Sequence, residues 1–179
     1  ELNHCWLHSL TTAARLQSPD YCAKLRALQA LCVLSRFVTR DIAGHVCRQT
    51  FVGLGKQNSH NQLRYFLEVF ALQCAIRHPM VYGRELATQI TRTDLSLLQL
   101  TSLMIISGNL IVGRYKNDFF RQYESESGEP MNLKTFIGGI VPWLSSTQAF
   151  SRGIAQLLAY EMIPMVTDVE SRDGDDSDW

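Results

Sequence analysis

Three residues near the amino terminus have side chains that commonly bind zinc. His4, Cys5 and His8 stand close together in the sequence, and imidazole and thiolate groups are typical zinc ligands. A structural zinc site needs a fourth ligand, and no distant partner for these three can be identified. We therefore interpret them as ordinary surface residues and predict no metal site.

Two further patterns resemble parts of enzyme sites. Gly53, Leu54, Gly55 and Lys56 resemble a phosphate-binding loop, but neither the preceding strand nor the full Walker spacing is present. Glutamates at positions 124, 126 and 129 lie in a stretch typical of a solvated loop rather than of an acid/base pair. The sequence therefore predicts no catalytic residue.

A row of arginines is the most informative chemical pattern. Arg40, Arg77 and Arg114 are spaced by 37 residues, and Arg36 and Lys116 stand beside them. We expect each of the three to end the first helix of a repeat, so that stacked repeats align them along one edge. Such an edge suits a phosphate backbone. The alternative is that cations at helix carboxyl ends are stabilised by the helix dipole and need no ligand.

The charge of the chain is unevenly distributed, although the formal net charge is zero. Residues 166–179 contain six acids and one arginine, a net charge of −5, so the rest of the chain carries +5. Between Arg15 and Arg121 there are fourteen basic and six acidic residues, a net charge of +8. A basic body is thus followed by an acidic tail.

The cysteines indicate a reducing compartment. Their number, five, is odd, and no two stand at C-x-x-C spacing. Four of them fall on apolar helical faces, as reduced and buried thiols do. We expect a cytoplasmic protein, with the nucleus as another possible location.

No targeting or membrane segment is predicted. The amino terminus lacks the basic and apolar regions of a signal peptide, and no stretch approaches the roughly 20 apolar residues of a membrane span. The chain starts without Met and within a helical pattern. We therefore interpret it as a piece of a larger protein.

Apolar spacing and helix-boundary residues predict seven or eight helices and no strand. Ser18 and Pro19 should begin the first of these, which should end near Val38. Pro79 should stop the third, Thr93 and Asp94 should cap the fifth, and Pro164 should end the last. The other expected helices cover about residues 41–54, 80–90, 115–123 and 133–144, the last kinked by Gly138, Gly139 and Pro142.

A repeat of 37 residues organises these helices. Ala30, Leu67, Met104 and Val141 are all apolar at this spacing, which we expect to place them in equivalent buried positions. Two helices fit in 37 residues, and the tetratricopeptide signature is missing. We predict an all-α, HEAT/armadillo-like solenoid of about four helix pairs over residues 1–165, with residues 166–179 as a disordered tail or linker. The alternative is a non-repeating helical bundle.

A family resemblance is carried by Asn-Gln-Leu-Arg-Tyr-Phe-Leu-Glu at residues 61–68, by its continuation through His78 and Pro79, and by Ser-Thr-Gln-Ala-Phe-Ser-Arg at residues 146–152. These segments resemble the helical-repeat region of the large eukaryotic tRNA guanosine 2′-O-methyltransferases, the TAR RNA-binding protein family of the SPOUT superfamily. The similarity covers roughly residues 22–163.

The resemblance implies a non-catalytic role beside an enzyme. In that family a HEAT-like region precedes a SPOUT domain, which binds S-adenosylmethionine in a knotted fold and methylates a D-loop guanosine. The motifs of that domain are absent here, so no catalytic residue and no cofactor is assigned to this chain. The resemblance implies that it positions tRNA or another structured RNA for the catalytic domain of the same protein. The alternative is a HEAT-type protein-interaction scaffold with no RNA role.

Overall fold

The computed structural model describes residues 20–56, 61–113 and 116–173, with side chains for all except Lys56 and residues 168–173. Within these ranges every regular element is helical and no strand occurs, which confirms the all-α prediction. The described helices are α1 (Tyr21–Leu34), α2 (Arg40–Lys56), α3 (Asn61–Arg77), α4 (Pro79–Ile90), α5 (Leu97–Ile111), α6 (Lys116–Ser127), α7 (Leu133–Ile140) and α8 (Ala149–Asp173). Short 3-10 turns, Ser35–Phe37 and Val141–Trp143, follow α1 and α7.

Two helices begin later than the sequence predicts. The carboxylate of Asp20 caps α1 by accepting a 2.8 Å hydrogen bond from the Cys22 amide, while Ser18 and Pro19 lie outside the described residues. Ser96, and not Thr93 or Asp94, caps α5, because the Ser96 and Gln99 side chains each accept a hydrogen bond from the backbone of the other. This reciprocal capping box needs Glu or Gln three residues after the cap, which only Ser96 has.

One of the two prolines acts as predicted and the other does not. Pro79 stops α3, which ends at Arg77, and is itself the first residue of α4, where its missing amide costs nothing. Pro164 does not end the last helix, since α8 continues through it to Asp173. Because proline has no amide hydrogen, the helix lacks one backbone hydrogen bond there, the one that residue 164 would donate to the carbonyl oxygen of Tyr160. The expected domain boundary between residues 165 and 166 therefore falls inside α8, and residues 174–179 lie outside the described part.

The helices pack in two rows. In one row α1, α3, α5 and α8 pack each against the next, and in the other α2 packs on α4, which contacts both α6 and α7. The first two helices of the first row are parallel. The Tyr21 hydroxyl near the start of α1 donates to Gln62 at the start of α3, and the Ser35 hydroxyl after α1 donates to Gln73 near the end of α3. The amino ends of α1 and α3 therefore lie at one edge of the molecule, and their carboxyl ends lie at the opposite edge.

The 37-residue register is only partly confirmed. Leu67 and Met104 are buried in α3 and α5, and Ala30 is half-buried in α1. Val141 lies in a 3-10 turn and is 51% exposed, so its predicted burial is wrong. The four helices of the first row begin at residues 21, 61, 97 and 149, so connections of unequal length, rather than a fixed spacing, separate equivalent positions.

The stripe on α3 supplies the first prediction. Leu63, Leu67 and Phe70 are buried as the spacing predicted, and Phe66 is half-buried. Replacing Phe70, which is 1% exposed, by Ala should lower the free energy of unfolding by about 3–5 kcal/mol in urea denaturation. Tyr65→Ala on the same helix, where the ring is 59% exposed, is the control and should change it by less than about 1 kcal/mol. Equal losses in the two variants would contradict the observed packing.

Candidate functional site

Hydrogen bonds join the end of α1 to the junction between α3 and α4. The Arg77 guanidinium donates to the Ser35 hydroxyl at 3.4 Å and to the Gln73 carbonyl oxygen at 3.1 Å. The His78 ring nitrogen lies 2.8 Å from the Val38 carbonyl oxygen, to which it donates. These contacts hold the turn after α1 against the junction between α3 and α4.

The same contacts bring three of the predicted arginines to one place. Arg36, Arg40 and Arg77 are all exposed there, and we call them the basic corner. The Arg36 guanidinium lies 4.9 Å from the centre of the Phe37 ring, a cation–π contact. None of the three arginines forms an ion pair within the described ranges. The corner therefore has three exposed guanidinium groups, and the nearest acid along the chain is the exposed Asp41.

Helix ends explain two of these arginines. Arg36 lies in the 3-10 turn that follows α1, at a carboxyl end, where the helix dipole favours a cation. Arg77 ends α3 and donates to a carbonyl of the last turn, as a cation at a helix carboxyl end should. Arg40 was predicted at a similar position, but it is the first residue of α2, where the helix dipole disfavours a cation. The prediction that all three arginines end a first helix is therefore wrong for Arg40. Arg114 lies outside the described residues.

Helix amino ends add positive potential to this edge. Both α2 and α4 begin at the basic corner, and His78 forms no side-chain cap on α4. Helix α6 begins at the same edge, because α5 starts beside the end of α2, where Gln99 meets Gly55, and therefore runs back toward the edge at which α2 begins before the chain enters α6. Lys116 is the half-buried first residue of α6. It adds one more basic residue at this edge, on the helix next to α4. We call the corner together with Lys116 the basic edge.

The glycines that resemble a phosphate loop have a packing role. Gly53 and Gly55 lie within α2, so the loop geometry that binds phosphate is not formed. A Cβ atom at Gly53 would lie 2.9 Å from a Leu67 methyl group, and one at Gly55 would overlap the Gln99 amide. The two glycines therefore let α2 approach its neighbours closely, a role that the sequence pattern did not reveal.

Two clefts lie on the opposite side, near the carboxyl end of α4. The larger, of about 420 Å³, is lined by residues of α2, α4 and α5, among them Arg48, and by Arg92 of the loop after α4. Arg92 already pairs with Asp94 at 2.6 Å and donates to Gln89, so most of the local charge is satisfied internally. The smaller cleft, of about 250 Å³, has Gly138 and Trp143 in its wall.

Neither a metal cluster nor a single membrane-spanning helix is found among the described residues. No three His, Cys, Asp or Glu side chains there are grouped so that they could hold a metal ion, while His4, Cys5 and His8 fall outside. No single helix in the described part is long and apolar enough to span a membrane, and α5 and α6 meet that criterion only as a bent pair.

A group of buried polar side chains lies where α2, α3 and α4 meet. Burial raises the pKa of Cys74 to about 12, and it also raises the pKa of Cys47 and of the wholly buried Tyr82. The Tyr82 hydroxyl is near Thr50 and Cys74 but makes no well-formed hydrogen bond with either. Thiols that remain protonated and shielded from solvent cannot act as nucleophiles.

Thiol labelling tests this burial. At pH 8, peptide mapping after brief treatment with a thiol reagent should show rapid modification of the exposed Cys22. Cys47 and Cys74 should remain unmodified until denaturant is added, because both are inaccessible and their pKa values are raised. The raised pKa values of the two thiols also make the free energy of unfolding depend on pH. It should be constant below pH 9.0, the ordinary cysteine pKa, and should fall above it, because the thiols ionise more readily in the unfolded chain. Labelling of all three cysteines at similar rates in the native protein would contradict the described core.

The glycine pair of α7 provides a matched test of packing. A Cβ atom at Gly139 would lie 2.7 Å from a methyl group of Ile90 and 3.1 Å from its backbone, so Gly139→Ala should destabilise the protein by about 1–3 kcal/mol. Nothing lies within 4 Å of such an atom at Gly138, so Gly138→Ala should stabilise it by about 0.5–1 kcal/mol. Thermal melting of both variants measures the difference. Similar shifts of the same sign would contradict the close contact between α4 and α7.

Comparison with known proteins assigns no family. No protein-family model, curated protein or solved structure matches the chain. The resemblance of residues 61–79 and 146–152 to the tRNA methyltransferases therefore stays a prediction, and the functional argument depends on the geometry of the basic edge.

Proposed function

We propose that this chain is a HEAT-like helical-repeat region that binds structured RNA through its basic edge. tRNA is the preferred candidate, because the family resemblance points to a tRNA 2′-O-methyltransferase domain elsewhere in the protein. In this proposal the chain holds the RNA and contributes no catalytic group. S-adenosylmethionine would belong to that other domain.

The packing pattern supports the repeat part of the proposal. Helices α2, α3 and α4 each contact both the next helix and the one after it along the chain, as expected when helix pairs stack in sequence. Equivalent ends then recur along one edge, as the starts of α2, α4 and α6 do here.

The position of Arg40 is the observation that carries the RNA-binding part. A cation at the start of α2 is disfavoured by the helix dipole, and this one lies beside Arg36 and Arg77 with no ion-pair partner in the described part of the chain. A bound phosphate would offset both costs, since guanidinium groups bind phosphate bidentately and helix amino ends attract anions. Structured RNA is recognised largely by shape and by its backbone, which suits a row of exposed cations.

A protein-interaction scaffold is the second candidate, and one observation favours it. The outer face of α8 has exposed apolar side chains, among them Tyr160 at 75% and Phe150 at 60% exposure. Such a surface is typical of protein contacts and not of phosphate binding. The two roles use different parts of the molecule, so the scaffold reading replaces RNA binding only if the basic edge proves inert.

Charge removal at the basic edge tests the proposal. The triple variant Arg36→Gln, Arg40→Gln, Arg77→Gln should bind unmodified tRNA at least about tenfold more weakly at low salt, measured by fluorescence anisotropy. Its slope of log affinity against log salt concentration should be flatter by up to about three units, one for each lost phosphate contact.

The control removes three charges elsewhere. Arg26→Gln, Arg48→Gln and Arg84→Gln together change exposed residues within α1, α2 and α4, and they should weaken binding by much less. If both triple variants lose affinity equally, binding depends only on overall charge. If the first triple variant binds like the parent, the arginines are not an RNA site and the scaffold reading is preferred.

A further inference from the structure

Helix α8 has a second apolar face. One face packs into the core through Ala155, Leu158 and Met162, which are buried against α5 and α7. The outer face carries a stripe of Phe150, Gly153, Leu157, Tyr160 and Pro164, at spacings of three and four residues. Surface helices usually have one such stripe, so the outer stripe is not explained by folding of the described chain.

The outer stripe is large enough to be an interface. Phe150, Leu157 and Tyr160 are 60%, 50% and 75% exposed, and Ile163 at its margin is 50% exposed. At about 200 Å² for each large side chain, their exposed surface is roughly 450 Å². A stable dimer buries about 800 Å² on each partner, of which somewhat more than half is apolar. The stripe therefore supplies about the apolar area that one such dimer needs.

The shape of the stripe is self-complementary. Gly153 is exposed and has no atom within 4 Å of the position its Cβ would occupy, so it leaves a notch in the helix surface. Tyr160, two turns further along, is the most exposed large apolar residue in the described part of the chain. Two copies of α8 packed antiparallel, about a two-fold axis midway between these residues, place the Tyr160 region of each copy opposite the Gly153 notch of the other.

We propose that the outer stripe of α8 binds a second copy of this chain in an antiparallel, two-fold symmetric dimer. The stripe itself has no charged residue, so burying it leaves no ion without a partner. The contact is isologous and closes on itself, so the assembly stops at two copies.

The experiment measures the mass of the 179-residue chain by sedimentation equilibrium, from about 1 to 200 µM, the range in which small dimers dissociate. The parent should be a dimer at the upper end of this range. Gly153→Leu should be a monomer over the whole range, because the new side chain fills the notch. The substitution should not harm the fold, since Leu is a better helix former than Gly and the space is open.

The controls separate loss of the interface from loss of the fold. Gly138→Ala, at another exposed helical glycine with open space, should leave the dimer intact. Tyr160→Ser removes the residue opposite the notch and should shift the dimer dissociation constant upward by at least about tenfold. A parent that stays monomeric at 200 µM, or a folded Gly153→Leu variant that dimerises like the parent, would overturn the proposal.

Discussion

A buried carboxylate fixes the position of α3, and the neighbouring helices are arranged around that helix. Glu68 is 9% exposed, accepts a hydrogen bond from the Ser102 hydroxyl of α5 at 2.5 Å, and pairs with Arg64 of its own helix at 3.4 Å. An ionised carboxylate without such partners is costly to bury. A shift of one turn between α3 and α5 would separate Glu68 from Ser102, so this contact favours one register. Because α3 also contacts α1, α2 and α4, that register affects both rows.

The basic edge is a consequence of this packing. The parallel helices α1 and α3 bring their carboxyl ends, and therefore the starts of α2 and α4, to one side of the molecule. The apolar stripe of α8 lies on the last described helix of the first row, on a face and not at a helix end. Electrostatic binding and self-association thus use separate surfaces. A dimer through α8 would present two basic edges, and a single RNA that reached both would bind more tightly through effective concentration.

The sequence predicted which segments are helical better than it predicted where the helices end. For the candidate site it identified the basic residues but not how the fold arranges them. Apolar spacing identified the α3 stripe, because burial alone decides that pattern. It could not show that Pro164 is tolerated within α8, which depends on whether the unpaired carbonyl remains near solvent. The 37-residue spacing predicted equivalent positions for Arg40 and Arg77. In the structure Arg40 is the first residue of α2 and Arg77 is the last residue of α3. They meet through the hydrogen bonds of Ser35 and His78, which no periodicity encodes.

Hydrogen–deuterium exchange of the whole chain with and without tRNA locates the bound surface without altering a residue. If the basic edge binds RNA, tRNA should slow amide exchange there, in residues 35–41, in the first turn of α4 and in the first turn of α6. The clefts near the carboxyl end of α4 and the outer face of α8 should exchange as in the free protein. Protection confined to α8, or no protection at the basic edge with saturating tRNA, would contradict RNA binding at that edge.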